Sequence, residues 1–213
     1  MNKEITWKQA LQSKRFRLHL VGSGIGAIFL ISFLPYFFND ILQPKAGISL
    51  NDFILKQFTP KDWSWIIFGI IYTCVLLVIA FNYSKPFAIL IGVETYILVN
   101  IIRMITLYSF TLEPPQGIIP LIDPLITKIA YGDTVFLKDL FFSGHVSTLC
   151  LLFLIEKSLI QKTTLFIATI AVAFLILWQH VHYTVDVLFA PIFTSLIYFG
   201  LLKLNRSQFK LNI

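Results

Sequence analysis

Residues 64–82 read Ser-Trp-Ile-Ile-Phe-Gly-Ile-Ile-Tyr-Thr-Cys-Val-Leu-Leu-Val-Ile-Ala-Phe-Asn, without one charged side chain. A helix needs about 20 such residues to cross the ~30 Å hydrocarbon core of a bilayer. Trp63 and Trp65 at its start suit an interfacial aromatic belt. Outward from this stretch lie five further apolar runs, at about 18–38, 87–110, 145–160, 164–181 and 183–204. The expected fold is an all-α integral membrane bundle of six transmembrane helices, one domain over residues 1–213. Composition agrees. Hydrophobic residues make up 57% of the chain and charged residues 13%, with 21 Phe, against about 25% charged in a soluble domain. A soluble core of this size could not enclose so much apolar surface, and the same figures exclude disorder.

The net charge of +6 does not point to nucleic acid. Lys and Arg fall mostly between the apolar runs, where they set membrane orientation. With the N-terminus inside, eleven of them lie on the inner side and five on the outer, and Arg103 within the third span completes the 17. Both termini are therefore expected in the cytoplasm. Two long connections remain, 39–63 and 111–144, and residues 121–130 in the second read as a short helix on the membrane surface. Cys74 and Cys150 have no metal or redox spacing and read as reduced packing residues. Gly22-Ser-Gly-Ile-Gly26 mimics a nucleotide loop, but no strand precedes it. It reads as a close-packing face of the first helix.

Ionisable groups inside a membrane bundle cost several kcal/mol and are functional by default. Here they are Glu94, Arg103, Asp139, His145, His180, His182 and Asp186. His145 begins the fourth span. The chain then crosses inward and returns, so His180 and His182 reach the same face. If the sixth span begins at about 183, His182 and Asp186, four apart, share one side of it. A carboxylate there can hold one ring nitrogen and raise the basicity of the other. Ser143-Gly144 precedes His145 at a helix N-terminus, where free N–H groups suit an anion. One oriented histidine, one further histidine and an anion cradle suit phosphoryl transfer through a phosphohistidine. His180 points elsewhere and reads as structural. A metal site built on His180-x-His182 lacks evident third and fourth ligands. Glu94 lies mid-span, at a position from which it could hydrogen-bond a site histidine.

Phe142-Ser143-Gly144-His145 followed by His182-Tyr183-Thr184-Val185-Asp186-Val187 resembles the type 2 phosphatidic acid phosphatase superfamily. The resemblance extends to its sphingomyelin synthase-like branch through Asp139, six residues before His145, and through Arg103 followed by Thr111-Leu112-Glu113-Pro114. It implies six spans and an outward-facing site. It also implies His182 as nucleophile, Asp186 as its orienting partner and His145 as general acid, then base. Ser143, Gly144, Arg103, Lys138, Asp139 and Glu94 are the accompanying phosphate- or substrate-binding candidates. No metal or organic cofactor is implied. The chain departs from the wider superfamily in two ways: its first motif is not recognisable beyond Arg103, and Ile176 stands where an Arg precedes the nucleophilic His. A phosphomonoester carries about two negative charges near neutrality, a diester one. Fewer cations therefore favour headgroup transfer from a phospholipid donor to a lipid alcohol acceptor of ceramide or diacylglycerol type. Lys138 or backbone N–H groups could supply the missing charge. The alternatives are a lipid phosphate phosphatase using water and a non-catalytic transporter; the latter lacks an inverted repeat and broken helices. A bacterial inner membrane with the site facing the periplasm is expected.

Overall fold

The computed structural model describes residues 5–123 and 136–209, and, within the last helix, side chains as far as Asn205. It is an all-α bundle. A four-residue helix α1 (Trp7–Ala10) precedes α2 (Lys14–Tyr36), α3 (Ser64–Asn82), α4 (Pro86–Ser109), α5 (Gly144–Ile155), α6 (Leu159–Trp178) and α7 (Thr184–Phe209). The expected surface helix at 121–130 lies almost wholly outside the described residues.

Local chemistry explains most helix ends. Pro86 opens α4 at the position where a missing N–H is harmless. Ser143 caps α5, its hydroxyl accepting from the Val146 N–H. Pro35 near the end of α2 cannot donate to a preceding carbonyl. From Phe37 to Leu42 the ladder widens to π spacing, closing with the Gln43 N–H on the Phe38 carbonyl at 2.9 Å.

Five helices are long and apolar enough to cross a membrane among the described residues, and α5 is not one of them. Here the expected fourth span at 145–160 needs correction. Helix α5 has 12 residues, about 18 Å at 1.5 Å per residue. Its C-terminal end is set by Glu156, which is buried and accepts from the Asn82 side chain at the end of α3. At its N-terminal end, residues 139–143 approach it as irregular chain rather than as helix. Helix α5 is nevertheless central. Val146, Leu149 and Leu152 meet Ile67, Ile71, Cys74 and Val78 of α3, together with apolar residues of α6 and α7. Phe142 stacks on Phe193 with ring centroids 4.7 Å apart. Both cysteines are free and buried.

Lipid tails are as apolar as leucine, so packing and internal polar contacts hold such helices together, at about 0.6 kcal/mol per interhelical hydrogen bond. Helix α2 is the peripheral member. Of its three candidate packing glycines, only Gly26 meets a neighbour, where an added Cβ would lie 3.3 Å from Ile97. Gly22 and Gly24 have open space beside them, so the expected glycine packing face reduces to one position.

Candidate active site

The end of the bundle that carries the α4–α5 and α6–α7 connections gathers most of the candidate residues. The centre is Arg103, on α4 and 6% exposed. It lies six residues before the end of its helix, about 9 Å below it. Its Nε donates to the Phe142 carbonyl at 2.8 Å, its Nη1 reaches Asn100 Oδ1 at 3.4 Å, and its Nη2 pairs with Asp139. Thr106 adds a hydrogen bond to the Phe141 carbonyl at 3.1 Å. Arg103 thus clamps residues 139–142 to α4 and leads the chain into α5. Gly144 makes this possible. A Cβ on it would stand 2.8 Å from the guanidinium carbon.

His145 follows in the first turn of α5, where the early N–H groups lack intrahelical acceptors. Its ring lies 5.9 Å from that of His182, centroid to centroid and near edge-on, with Phe68 at 5.8 Å on another side. His182 is 1% exposed and Asp186 0%. His182 Nδ1 stands 3.4 Å from Asp186 Oδ2, close enough for charge contact but not aligned as a hydrogen bond. Both ring nitrogens of His182, Nδ1 of His145 and Oδ1 of Asp186 are buried without a protein hydrogen-bond partner. Four unmatched polar atoms this close together are costly in a folded chain, and an active site is one of the few places that retains them. The Ser143 N–H donates to the Asp186 carbonyl at 3.1 Å, tying the two histidine-bearing segments together.

His182 and Asp186 would share one helical face only if the last helix took in His182. Instead α7 starts at Thr184, and His182 sits in the preceding turn. Asp186 occupies the third helical position and accepts the Tyr183 N–H at 2.9 Å, half of a capping box. The turn is further held by Asp52, whose two oxygens accept the Thr184 N–H at 2.6 Å and its hydroxyl at 3.0 Å. A carboxylate at a helix N-terminus is stabilising. Burial raises the Asp52 carboxyl, but hydrogen bonds from Thr184, Ile54 and Leu55 outweigh it and hold the group below its ordinary value of 3.8. A depressed carboxylate contributes stability in full above its unfolded value and loses it as pH falls through the folded one. Asp52→Asn should therefore lower the thermal midpoint at pH 7, and the gap to the parent should close only below about pH 4. A gap that closes between pH 5 and 8 would contradict this role.

His180 has φ 59°, a left-handed conformation that favours glycine. Its N–H donates to Leu177 at 3.0 Å, and the Val181 N–H to Ile176 at 2.9 Å. This is the Schellman ending of a helix. Its Nδ1 meets the Gln116 carbonyl at 2.9 Å. His180→Gly should keep turnover within about threefold of the parent, since glycine takes this conformation without the 1–2 kcal/mol cost to other residues. A loss comparable to that of His182→Ala would assign His180 a chemical role instead.

Other candidates are placed differently. Lys138 Nζ is engaged by Glu113 at 2.9 Å and by the Lys45 carbonyl at 2.6 Å. The Lys138 hydrogen bond holds the Glu113 carboxyl below the usual range. Lys138 thus braces the loops. Ile176 is fully buried in the apolar core, so this position offers no cation. Glu94 is not brought to the histidines. It lies nine residues before Arg103, about 13.5 Å down the helix, and binds His19 and Asn205.

Several residues near the site escaped the sequence reading. Asp123 accepts from the Tyr72 hydroxyl at 2.5 Å and, with Asp139, acts electrostatically on His145. Its only sequence signal is the turn-forming Asp-Pro pair. Gln179, fully buried, accepts the Trp63 N–H at 2.8 Å and donates to Ser64 and to Ile119. It thereby seats the chain around Ile119 on the start of α3. Among the described residues, no group of three or more His, Cys, Asp or Glu is placed to hold a metal ion.

No curated protein matches the chain. Residues 138–203 match the family model described as PAP2 superfamily C-terminal, a segment that begins at Lys138 and takes in both histidine-bearing motifs and the clamped approach to α5.

Proposed function

We propose that the protein is a lipid phosphotransferase working through a phosphohistidine, of the sphingomyelin synthase-like kind. One observation carries this: His145 and His182 come from separate segments and stand 5.9 Å apart, with Asp186 beside His182. The match over 138–203 supports phosphatase or phosphotransferase chemistry on lipid phosphates. In the proposed reaction His182 Nε2 attacks the phosphorus of a phospholipid. Asp186 faces Nδ1 and stabilises the ring as it becomes cationic. The bond from phosphorus to the diacylglycerol oxygen breaks, and His145 gives that oxygen its proton. An acceptor hydroxyl then attacks phosphorus, His145 takes its proton and the phosphorus–nitrogen bond breaks. The unpaired N–H groups in the first turn of α5, which carries His145, would supply donors to the anion, while Arg103, engaged by Phe142, Asn100 and Asp139, holds that turn in place.

The absence of a cation at Ile176 and the engagement of Lys138 by Glu113 favour a singly charged diester over a phosphomonoester. The second reading, a phosphatase with water as acceptor, uses the same residues. Both termini are assigned to the cytoplasm by the charge bias, with the histidines facing the periplasm of a bacterial inner membrane. Purified protein supplied with phospholipid should form a new phospholipid-headgroup product when ceramide or diacylglycerol is added. Release of free headgroup phosphate at an unchanged rate, with or without these alcohols, would select the phosphatase reading.

A further inference from the structure

At the opposite end of the bundle from the histidines, α2, α4 and α7 border an open cavity of about 310 Å³ lined by His19, Gly22, Ser23, Glu94, Ile97, Leu98 and Leu201. Its floor is polar. Glu94 accepts from Asn205 at 3.0 Å and contacts His19 Nδ1 at 2.7 Å. Its side chain is 14% exposed. Its mouth is open, because Gly22 is exposed and an added Cβ there would meet nothing within 4 Å. His19 lies five residues into α2, about 7.5 Å, and Glu94 eight residues into α4, about 12 Å. With the helix starts at headgroup level, these depths would fall near the border between the polar region and the ~30 Å hydrocarbon core of a bilayer.

We propose that this cavity is a second lipid site, separate from the histidines, that takes a neutral lipid alcohol of the diacylglycerol class from the adjoining leaflet. A carboxylate offers about four acceptor positions, and two protein partners leave room for a hydroxyl donor. Ile97, Leu98 and Leu201 give the chains an apolar wall, while Gly22 leaves the entrance clear. A neutral hydroxyl enters this depth without the desolvation cost that an ammonium headgroup carries. The volume lies at the small end of ligand sites, and a carboxylate at its floor disfavours the like charge of a phosphorylated headgroup.

The test uses full-length protein in phosphatidylcholine nanodiscs with a photoreactive diacylglycerol, the crosslinked peptides being mapped by mass spectrometry. Crosslinks are expected at 22–26, 97–98 and 201. They should fall by about tenfold, the size of one lost polar contact, in Glu94→Ala. Gly22→Leu, which fills open space and leaves the buried polar partners intact, should cause a similar fall. His182→Ala should leave them unchanged, so the outcome is independent of whether the phosphohistidine mechanism holds. Labelling confined to the histidine end, or insensitive to Gly22→Leu, would overturn the proposal. So would equal labelling of this cavity by a photoreactive phosphatidylethanolamine, which would mark it as an unselective lipid groove.

Discussion

His182→Ala is expected to abolish the covalent phosphoenzyme and to lower lipid turnover by about 10⁴-fold or more, the usual scale for losing a nucleophile. In the proposed mechanism the second ring, that of His145, is committed to proton transfer and does not take over the attack. Asp186→Asn should retain the Tyr183 hydrogen bond and hence the turn, yet lose the charge beside Nδ1. Its turnover should fall by about 10²–10⁴-fold. His145→Ala should slow both half-reactions while still allowing labelling by a substrate whose leaving group needs no acid. Two in-line displacements also demand net retention at phosphorus, readable with a chiral phosphorothioate lipid. Inversion would mean a single displacement and would remove His182 as nucleophile. Undiminished turnover in His182→Ala would sink the catalytic assignment entirely.

Gly144→Ala is expected to be damaging as well, although it adds a single methyl. The new carbon would stand 2.8 Å from both Cζ and Nη1 of Arg103. The guanidinium cannot yield cheaply, because Phe142, Asp139 and Asn100 hold it from three directions. The alternative is movement of the α5 N-terminus, which carries His145 away from His182. A displacement approaching 1 Å costs on the order of 100-fold in rate, and forced repacking about 1–3 kcal/mol in stability. The clash has one partner, so the effects must couple. Gly144→Ala combined with Arg103→Ala should be no slower than Arg103→Ala alone. Simple additivity of the two losses, read from turnover and thermal midpoints in a double-mutant cycle, would refute the contact.

The apolar runs sufficed to read a membrane-spanning all-α bundle, because lipid leaves the backbone few ways to satisfy its hydrogen bonds other than within helices. Span length and the absence of charge are local properties, and 64–82 coincides with α3 as a result. The histidine-bearing motifs were legible for a related reason: spacing along the chain and the number of crossings bring His145 and His182 to one end without knowledge of packing. The shortness of α5 was not legible. Apolar residues continue almost to Glu156, and its C-terminal limit is set by Asn82, which lies 74 positions away. Its N-terminal limit is set by Arg103, reaching 39 positions forward to Phe142. Glu94 looked like a companion of the histidines, but its partners His19 and Asn205 are 75 and 111 positions away. His19 itself, at the start of the first apolar run, is not among the ionisable groups singled out in the sequence. Pairings over such separations leave no periodic trace in a sequence, and only the packing of the helices decided which carboxylate met which histidine.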